Sequence, residues 1–587
     1  MDETLDKRHF VDLFKARAVV VTELAPGHAR TVAEQVNEQV GRGDASLRTK
    51  AEYSALFDAL LREPDSLAGP STLRLRANGG GPTAAGQAVE HYLRASTGKA
   101  EFFDEPMYVI SIAGWPAEHL TPEEPVEASG DARLALWRSD PADARHVPPP
   151  EQEGVLFATP TFSLMNSGNR TLRAPKRSWK INFEIGGDDE RLVDMSRLNL
   201  KAMYNDPAQM REALAWQLFA VAGVPASQHT YAKLAINDRY RGLFFLVEQV
   251  DRRMLKDRFG SNDGGNLYKA YCGDIGCATL ERRVGEGGDD SGRQYFKAKS
   301  IDDRGYRLKS NEDDAQANTY DDLAELIRRI DGVGLSGGDE RFASDDYRAS
   351  LDAVMSMPAF LRWAGVNLLA GSWDNYFATP ANYYLYNAGR KGARERFVES
   401  PYFVLLPWDY DNSFGIDYFA TAWQDTDVVD WAANTRNYCK QTHAPGETSR
   451  IPLVQNVLRN HDFCQYYLDH LEHLLETVFD PDKIAAKLGP DGGPGLWERV
   501  RHAAYLESDT PSGPPFTGRQ FTNDEVYRSG CLQNEVRHGD AHVEGIVHYV
   551  RMRRDTARRQ LEALRATFPS GASGATFTGV METLPDA

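Results

Sequence analysis

The order of apolar patterns between residues 107 and 250 constrains this chain more than any other feature. Tyr108-Val109-Ile110-Ser111-Ile112, Leu156-Phe157, Thr161-Phe162-Ser163-Leu164 and Ser178-Trp179-Lys180-Ile181-Asn182-Phe183 each read as a strand, the last two joined by the polar turn Asn166-Ser167-Gly168-Asn169. Asp206-Pro207 then marks a helix start, and Met210 to Val221 is amphipathic, with Leu214, Trp216, Leu218 and Phe219 apolar. Thr230 to Ile236 and Arg241 to Val247 flank the turn pair Asn237-Asp238, which predicts a hairpin. Strand, strand, helix, strand, strand is an α+β order, with the helix placed to cover one face of a sheet.

From residue 321 helical periodicity takes over. Asp321 to Ile330 reads as a helix, and so does Pro358 to Leu369, where Phe360, Trp363, Val366 and Leu369 recur at helical spacing; His548 to Leu564 is basic and amphipathic. The second helix leads into the polar loop Trp373-Asp374-Asn375, then the short β-like runs Asn382-Tyr383-Tyr384-Leu385-Tyr386 and Tyr402-Phe403-Val404-Leu405-Leu406, the latter ending at Pro407-Trp408-Asp409. The expected organisation is an N-terminal extension over 1–104, a β-rich small lobe over 105–256, a Gly-, Asp- and Arg-rich insertion over 257–320, a mainly helical large lobe over 321–567 and a flexible tail over 568–587. The N-terminal extension carries no legible chemistry, and oligomeric state is not written in the sequence.

A net charge of −18, from 85 acidic against 67 basic residues, argues against nucleic acid and an anionic membrane surface as partners. It does not argue against a nucleotide, because a divalent cation can bridge carboxylates and phosphates. The start of the chain lacks an apolar leader and no window reaches about 18 uninterrupted apolar residues, so the expectation is a cytoplasmic protein. Five cysteines are too few and scattered for a disulfide framework. Cys272 and Cys277 read as two thiols of a Gly-rich loop, with pairing or a place in a metal site as the alternatives.

The candidate chemistry rests on carboxylates in loops. Asp374 follows a long helix and precedes Asn382, which suits a base and a metal-holding amide; an Asp that merely turns the chain is the alternative. Asp409 ends an apolar strand and Asp411 follows two residues later, which suits magnesium; an Asx-turn or a structural calcium site is the alternative. Lys180 lies mid-strand, either on a nucleotide's phosphates with Glu212 as its partner or exposed to solvent. Arg173-Ala174-Pro175-Lys176-Arg177 supplies cations for phosphate or an acceptor, or is simply solvated, and Glu248 closes a strand where a hinge to the second lobe would lie.

The motifs Gly168-Asn169 with Pro175-Lys176-Arg177-Ser178-Trp179-Lys180, Met210-Arg211-Glu212, Gly242 to Asp251, Asn266-Leu267-Tyr268-Lys269, Trp373-Asp374, Asn382 to Tyr386 and Pro407-Trp408-Asp409-Tyr410-Asp411 together resemble the spore coat protein H (CotH) kinase family, from about residue 105 to 567. The resemblance implies a two-lobed atypical protein-kinase-like fold, ATP with magnesium or manganese, and γ-phosphoryl transfer to Ser or Thr of a partner protein, spore coat proteins being the substrates in spore-formers. By position it makes Asp374 the catalytic carboxylate and Asp409, Asn382 and Asp411 the metal ligands. Lys180, Glu212, Lys176, Arg177 and Glu248 fall at the nucleotide. Arg170-Thr171 stand where the family has two serines, and no Gly-x-Gly-x-x-Gly loop is present. The same site admits adenylylation by a flipped nucleotide, glutamylation through an acyl-adenylate, or a pseudokinase scaffold.

Overall fold

The computed structural model describes residues 97–575 with interruptions, the longest being 142–152, 432–450 and 509–520, and nearer the N-terminus only short strands, among them Ala18–Val21 paired with Leu75–Ala77. The helix-like stretch at 52–61, Asn169 to Thr171, Arg173, Pro175 and the tail from 576 lie outside the described residues.

Nine strands form the main sheet: β1 (Met107–Ala113), β2 (Val126–Glu127), β3 (Arg133–Arg138), β4 (Phe157–Thr159), β5 (Ser163–Ser167), β6 (Ser178–Asn182), β7 (Arg197–Lys201), β8 (His229–Ile236) and β9 (Arg239–Glu248). Their spatial order is β2-β5-β6-β7-β9-β8-β1-β3-β4, antiparallel except where β1 runs parallel to β8. The β8-β9 hairpin turns at Asn237 and Asp238, both with positive φ (50° and 58°). Asn and Asp tolerate that region and it matches the twist of the flanking strands.

The sheet buries both faces because its central strands alternate two apolar sets. Phe244 and Leu246 join Ile110, Ile181, Leu198 and Leu200 in one core, while Leu243, Phe245 and Val247 enter a second, larger core with Met107 and Tyr231. Helix α1 (Thr97–Asp104) contributes Phe102 and Phe103 to the first core. Helix α2 (Arg211–Val221) is buried nearly all round and lies in the second.

Four further strands make a small antiparallel sheet: β10 (Leu267–Ala270), β11 (Tyr306–Leu308), β12 (Tyr383–Asn387) and β13 (Phe403–Pro407), in the order β11-β10-β12-β13. The stretch read as an insertion therefore supplies two of its strands. Around it lie α3 (Arg252–Phe259), α4 (Asp321–Ile330), α5 (Met357–Ala370), α6 (His461–Thr477), α7 (Leu496–Ser508) and α8 (Ile546–Leu564). The architecture is α+β.

One reading needs correction. Cys272 and Cys277 are disulfide-bonded, facing each other across a two-strand turn, whereas they read as free thiols in the sequence. The spacing of five residues is compatible with pairing only once a hairpin brings the two Cα atoms together, here 3.9 Å apart. The residues after this hairpin form hydrogen bonds with the loop that follows α5: Ala278 donates its amide to Pro380 O at 2.9 Å, and Tyr376 donates its hydroxyl to Thr279 O at 2.9 Å.

Candidate functional site

In β7, Leu198 and Leu200 point into the first core, so Asn199 and Lys201 must face the other way, toward α2. Lys201 there forms ion pairs with both Glu212 and Asp409. Its ammonium also lies 5.4 Å from the Trp408 ring centre. Burial on its own would lower the lysine's pKa; Asp409, Glu212 and Asp411 outweigh it and hold the group charged. Glu212 is fully buried in the first turn of α2, where a carboxylate also meets the positive end of the helix dipole. It accepts hydrogen bonds from Trp216 Nε1 at 3.2 Å and from the Tyr410 amide at 3.3 Å.

The start of α2 is fixed by Asp206, whose carboxylate accepts from the amides of Ala208, Met210 and Arg211 at 2.9, 2.8 and 2.8 Å. Arg211 in turn ion-pairs with Asp206 at 2.5 Å and donates to Phe414 O at 3.3 Å and Glu544 O at 2.5 Å. The helix that presents Glu212 is thus tied directly to the segment following Asp411.

The expected partnership of Lys180 with Glu212 is corrected by this geometry. Lys180 sits on the same face of the sheet but one strand further out, opposite Asn199, and Glu212 takes Lys201 instead. Burial and the nearby cations Lys309, Arg197 and Arg307 push the Lys180 ammonium down.

Asp374 lies three residues past Gly371, which closes α5 in the left-handed conformation (φ 59°). One Asp374 oxygen accepts from Thr379 Oγ1 at 2.7 Å and the other from Asn412 Nδ2 at 3.2 Å. Asn382 donates its side-chain amide to the Asp374 backbone carbonyl at 2.8 Å, which leaves its amide oxygen as a further donor to a cation. Tyr383 and Pro407 face each other in register, so Asn382 and Asp409 leave neighbouring strands side by side. Tyr410 is anchored in the core by Trp363, whose Nε1 donates to its hydroxyl at 2.8 Å. Asp409 and Asp411, on either side of it, consequently emerge together, and Asn382 and Asp409 both hold positive φ (52° and 66°).

Asp411 is pushed well above the usual carboxylate range by burial and by Asp409, with Glu212 and Asp374 adding to it. A divalent cation would relieve that repulsion, and two carboxylates with an amide oxygen are the hard donors magnesium takes. Among the described residues, however, no group of three or more His, Cys, Asp or Glu side chains converges to hold a metal unaided. Magnesium sites completed by phosphate oxygens and water do not require one.

Two expected cofactor contacts, Lys176 and Glu248, are engaged within the protein. Lys176 is buried and bound to Glu507 of α7 at 2.7 Å and to Leu243 O at 2.5 Å. Arg177 is half-buried beside it. Glu248 is buried and accepts from Lys99 at 3.1 Å, Arg258 at 2.7 Å and the Gln228 amide at 3.0 Å, while Asp251 caps α3. Lys201, Thr379 and Asn412 were not singled out in the sequence. Lys201 is signalled by Arg-Leu-Asn-Leu-Lys, an alternating strand eleven residues ahead of Glu212.

The fold and site define an α+β protein with a buried lysine bridging a helix glutamate and a strand-end aspartate, beside a second carboxylate loop. The chain belongs to the CotH kinase family: the family described as "CotH kinase protein" matches residues 166–555. It is similar to the inner spore coat protein H of Bacillus subtilis, 22% identical over 337 residues, which cover 57% of this chain and 74% of that protein. It is also similar to the invasin CotH2 of Rhizopus delemar, 21% identical over 333 residues. The invasin CotH3 of the same fungus is 21% identical over 335 residues. The matches cover 56% of this chain and 49% and 48% of the two invasins, so this chain spans about half their length.

Proposed function

We propose that this protein is an ATP- and magnesium-dependent atypical protein kinase, two-lobed in the kinase manner, that transfers a phosphoryl group to Ser or Thr of a partner protein. The observation that carries this reading is the Lys201 ion-pair chain to Glu212 and Asp409 beside Asp374. Phosphoryl transfer needs positioned charge more than covalent chemistry, and this arrangement supplies it. Lys201 is placed for the nucleotide's phosphates, with Glu212 setting its reach. Asp409, Asp411 and the Asn382 amide oxygen would hold magnesium, or manganese, which would supply positive charge to offset that of the phosphates. The acceptor hydroxyl oxygen bonds to the γ-phosphorus, the bond to the bridging oxygen breaks, ADP leaves, and the hydroxyl proton passes to Asp374. Thr379 and Asn412 fix that carboxylate's orientation.

The test is intact-mass analysis of the full chain, and of candidate acceptor proteins, after incubation with magnesium and ATP labelled at the α or γ position. A mass increment of one phosphoryl group, with label retained only from γ, is expected. Label retained from α would replace kinase chemistry with adenylylation. Failure of millimolar Mg-ATP to raise the melting temperature at all would remove the nucleotide from the reading.

A further inference from the structure

The site described so far uses one lysine, yet the cleft beside it carries more positive charge than that site accounts for. On β10, Lys269 sits directly opposite Arg307 of β11, and like charges so placed in a sheet repel. Lys309 follows two residues later, exposed. On its other side Lys269 faces Tyr384 in register, with its ammonium 5.7 Å from that ring and 5.9 Å from Trp408. Trp408 is the ring that Lys201 also covers, so the small sheet brings Lys269 next to the ion-pair chain. From the main sheet Lys180 looks onto the same space, in a row with Asn199 and Val247.

The four groups act on one another across the two sheets: Lys309 and Arg307 bear on Lys180, and Lys180, Lys309 and Arg307 bear on Lys269. After burial, that repulsion lowers the Lys269 ammonium to about 7, with Asp409 offsetting only part of it. Among the described residues no carboxylate is ion-paired with Lys180, Lys269 or Lys309, in a chain whose acidic residues outnumber its basic ones by 85 to 67. Cations gathered this closely repel one another, and an anion bound among them relieves that repulsion.

We propose that Lys180, Lys269, Arg307 and Lys309 form a two-sided wall that binds the polyphosphate chain of a nucleoside triphosphate, continuing outward from Lys201. The inference rests on the nucleotide reading above for its ligand and adds the residues that grip it. The wall draws Lys180 from the main sheet and Lys269 from the small sheet, and the rings of Tyr384 and Trp408 hold Lys269 beside the ion-pair chain.

Isothermal titration of the full chain with inorganic triphosphate in metal-free buffer, then with ATP, Mg-ATP and adenosine, tests it. Wild type should bind triphosphate, and ATP more tightly still. The double variant Lys180→Met, Lys269→Met should weaken triphosphate and Mg-ATP by about tenfold or more, leave adenosine unchanged, and melt no lower than wild type because repulsion is relieved. Unchanged affinity for triphosphate and Mg-ATP in that variant overturns the wall. Triphosphate binding tighter than ATP overturns the nucleotide as its occupant. If the double variant does not fold, Lys309→Ser, at an exposed position, should still weaken triphosphate severalfold, and no change there also overturns the proposal. Mg-ATP binding without triphosphate binding would sink the wall and leave the kinase reading standing; triphosphate binding without any Mg-ATP effect would do the reverse.

Discussion

At the scale of single residues, the site depends on which lysine reaches Glu212. Lys180 and Lys201 lie on the same face of the same sheet, and only strand order distinguishes them: β7 is the neighbour of β9 and faces α2, while β6 is one strand further away. Alternation in the sequence gives the face of each lysine, but not how far each strand lies from the helix. That is why Glu212 and Asp409 could be singled out in the sequence and the lysine that pairs with both could not. Lys201→Met should therefore abolish Mg-ATP binding and, by leaving Glu212 buried without its partner, destabilise the fold by up to about 3 kcal/mol. Asp409→Asn should likewise lose metal-nucleotide binding. Asp374→Asn, in contrast, should keep binding and lower transfer by about 100- to 10,000-fold, the range for removing a general base. Calorimetric binding and single-turnover transfer measured on the three variants would show this split, and equal Mg-ATP affinity in Asp374→Asn and Asp409→Asn would refute the assigned roles.

At the scale of elements, the strands and helices with strong periodicity stand where the sequence put them, as α4 at Asp321–Ile330 and the β8-β9 hairpin show. The small sheet was harder to read because β10 and β11 are short and the strand that joins them to the rest of the sheet, Tyr383–Asn387, lies far along the chain from β10. The join between α5 and the Asp374 loop is the element most sensitive to a small change. Gly371 holds φ 59°, and a Cβ there would lie 2.1 Å from the Tyr549 hydroxyl of α8. Gly371→Ala should lower stability by about 1–3 kcal/mol from backbone strain, before the clash is added. Chemical denaturation reads this directly. Adding Tyr549→Phe should recover the clash component and not the backbone component; full recovery would mean that the left-handed turn itself contributes nothing.

At the scale of the whole molecule, the two cores meet across the main sheet, and one of the contacts that tie the start of α2 to the helical side is a buried guanidinium. Arg211 binds Asp206 at the start of α2, Phe414 O just beyond the carboxylate turn, and Glu544 O just ahead of α8. Arginine suits this because its planar fork serves several acceptors in fixed directions, which lysine cannot do. Since Glu212 is the next residue, the same bonds that hold the helix also set the ion-pair chain with Lys201 and Asp409. Arg211→Met removes all three contacts and leaves Asp206 buried without its cation, a loss of about 3–5 kcal/mol for a pair of this kind. The variant should unfold at lower denaturant. It should also bind Mg-ATP more weakly while still folded, although Arg211 does not face the cleft. Comparing nucleotide affinity for Arg211→Met with that for Gly371→Ala, at a temperature where both are fully folded, separates the two effects. If Arg211 acts only through stability, both variants will bind nucleotide like wild type; if it positions Glu212, only Arg211→Met will lose affinity, with the deficit in binding larger than that in the transfer step.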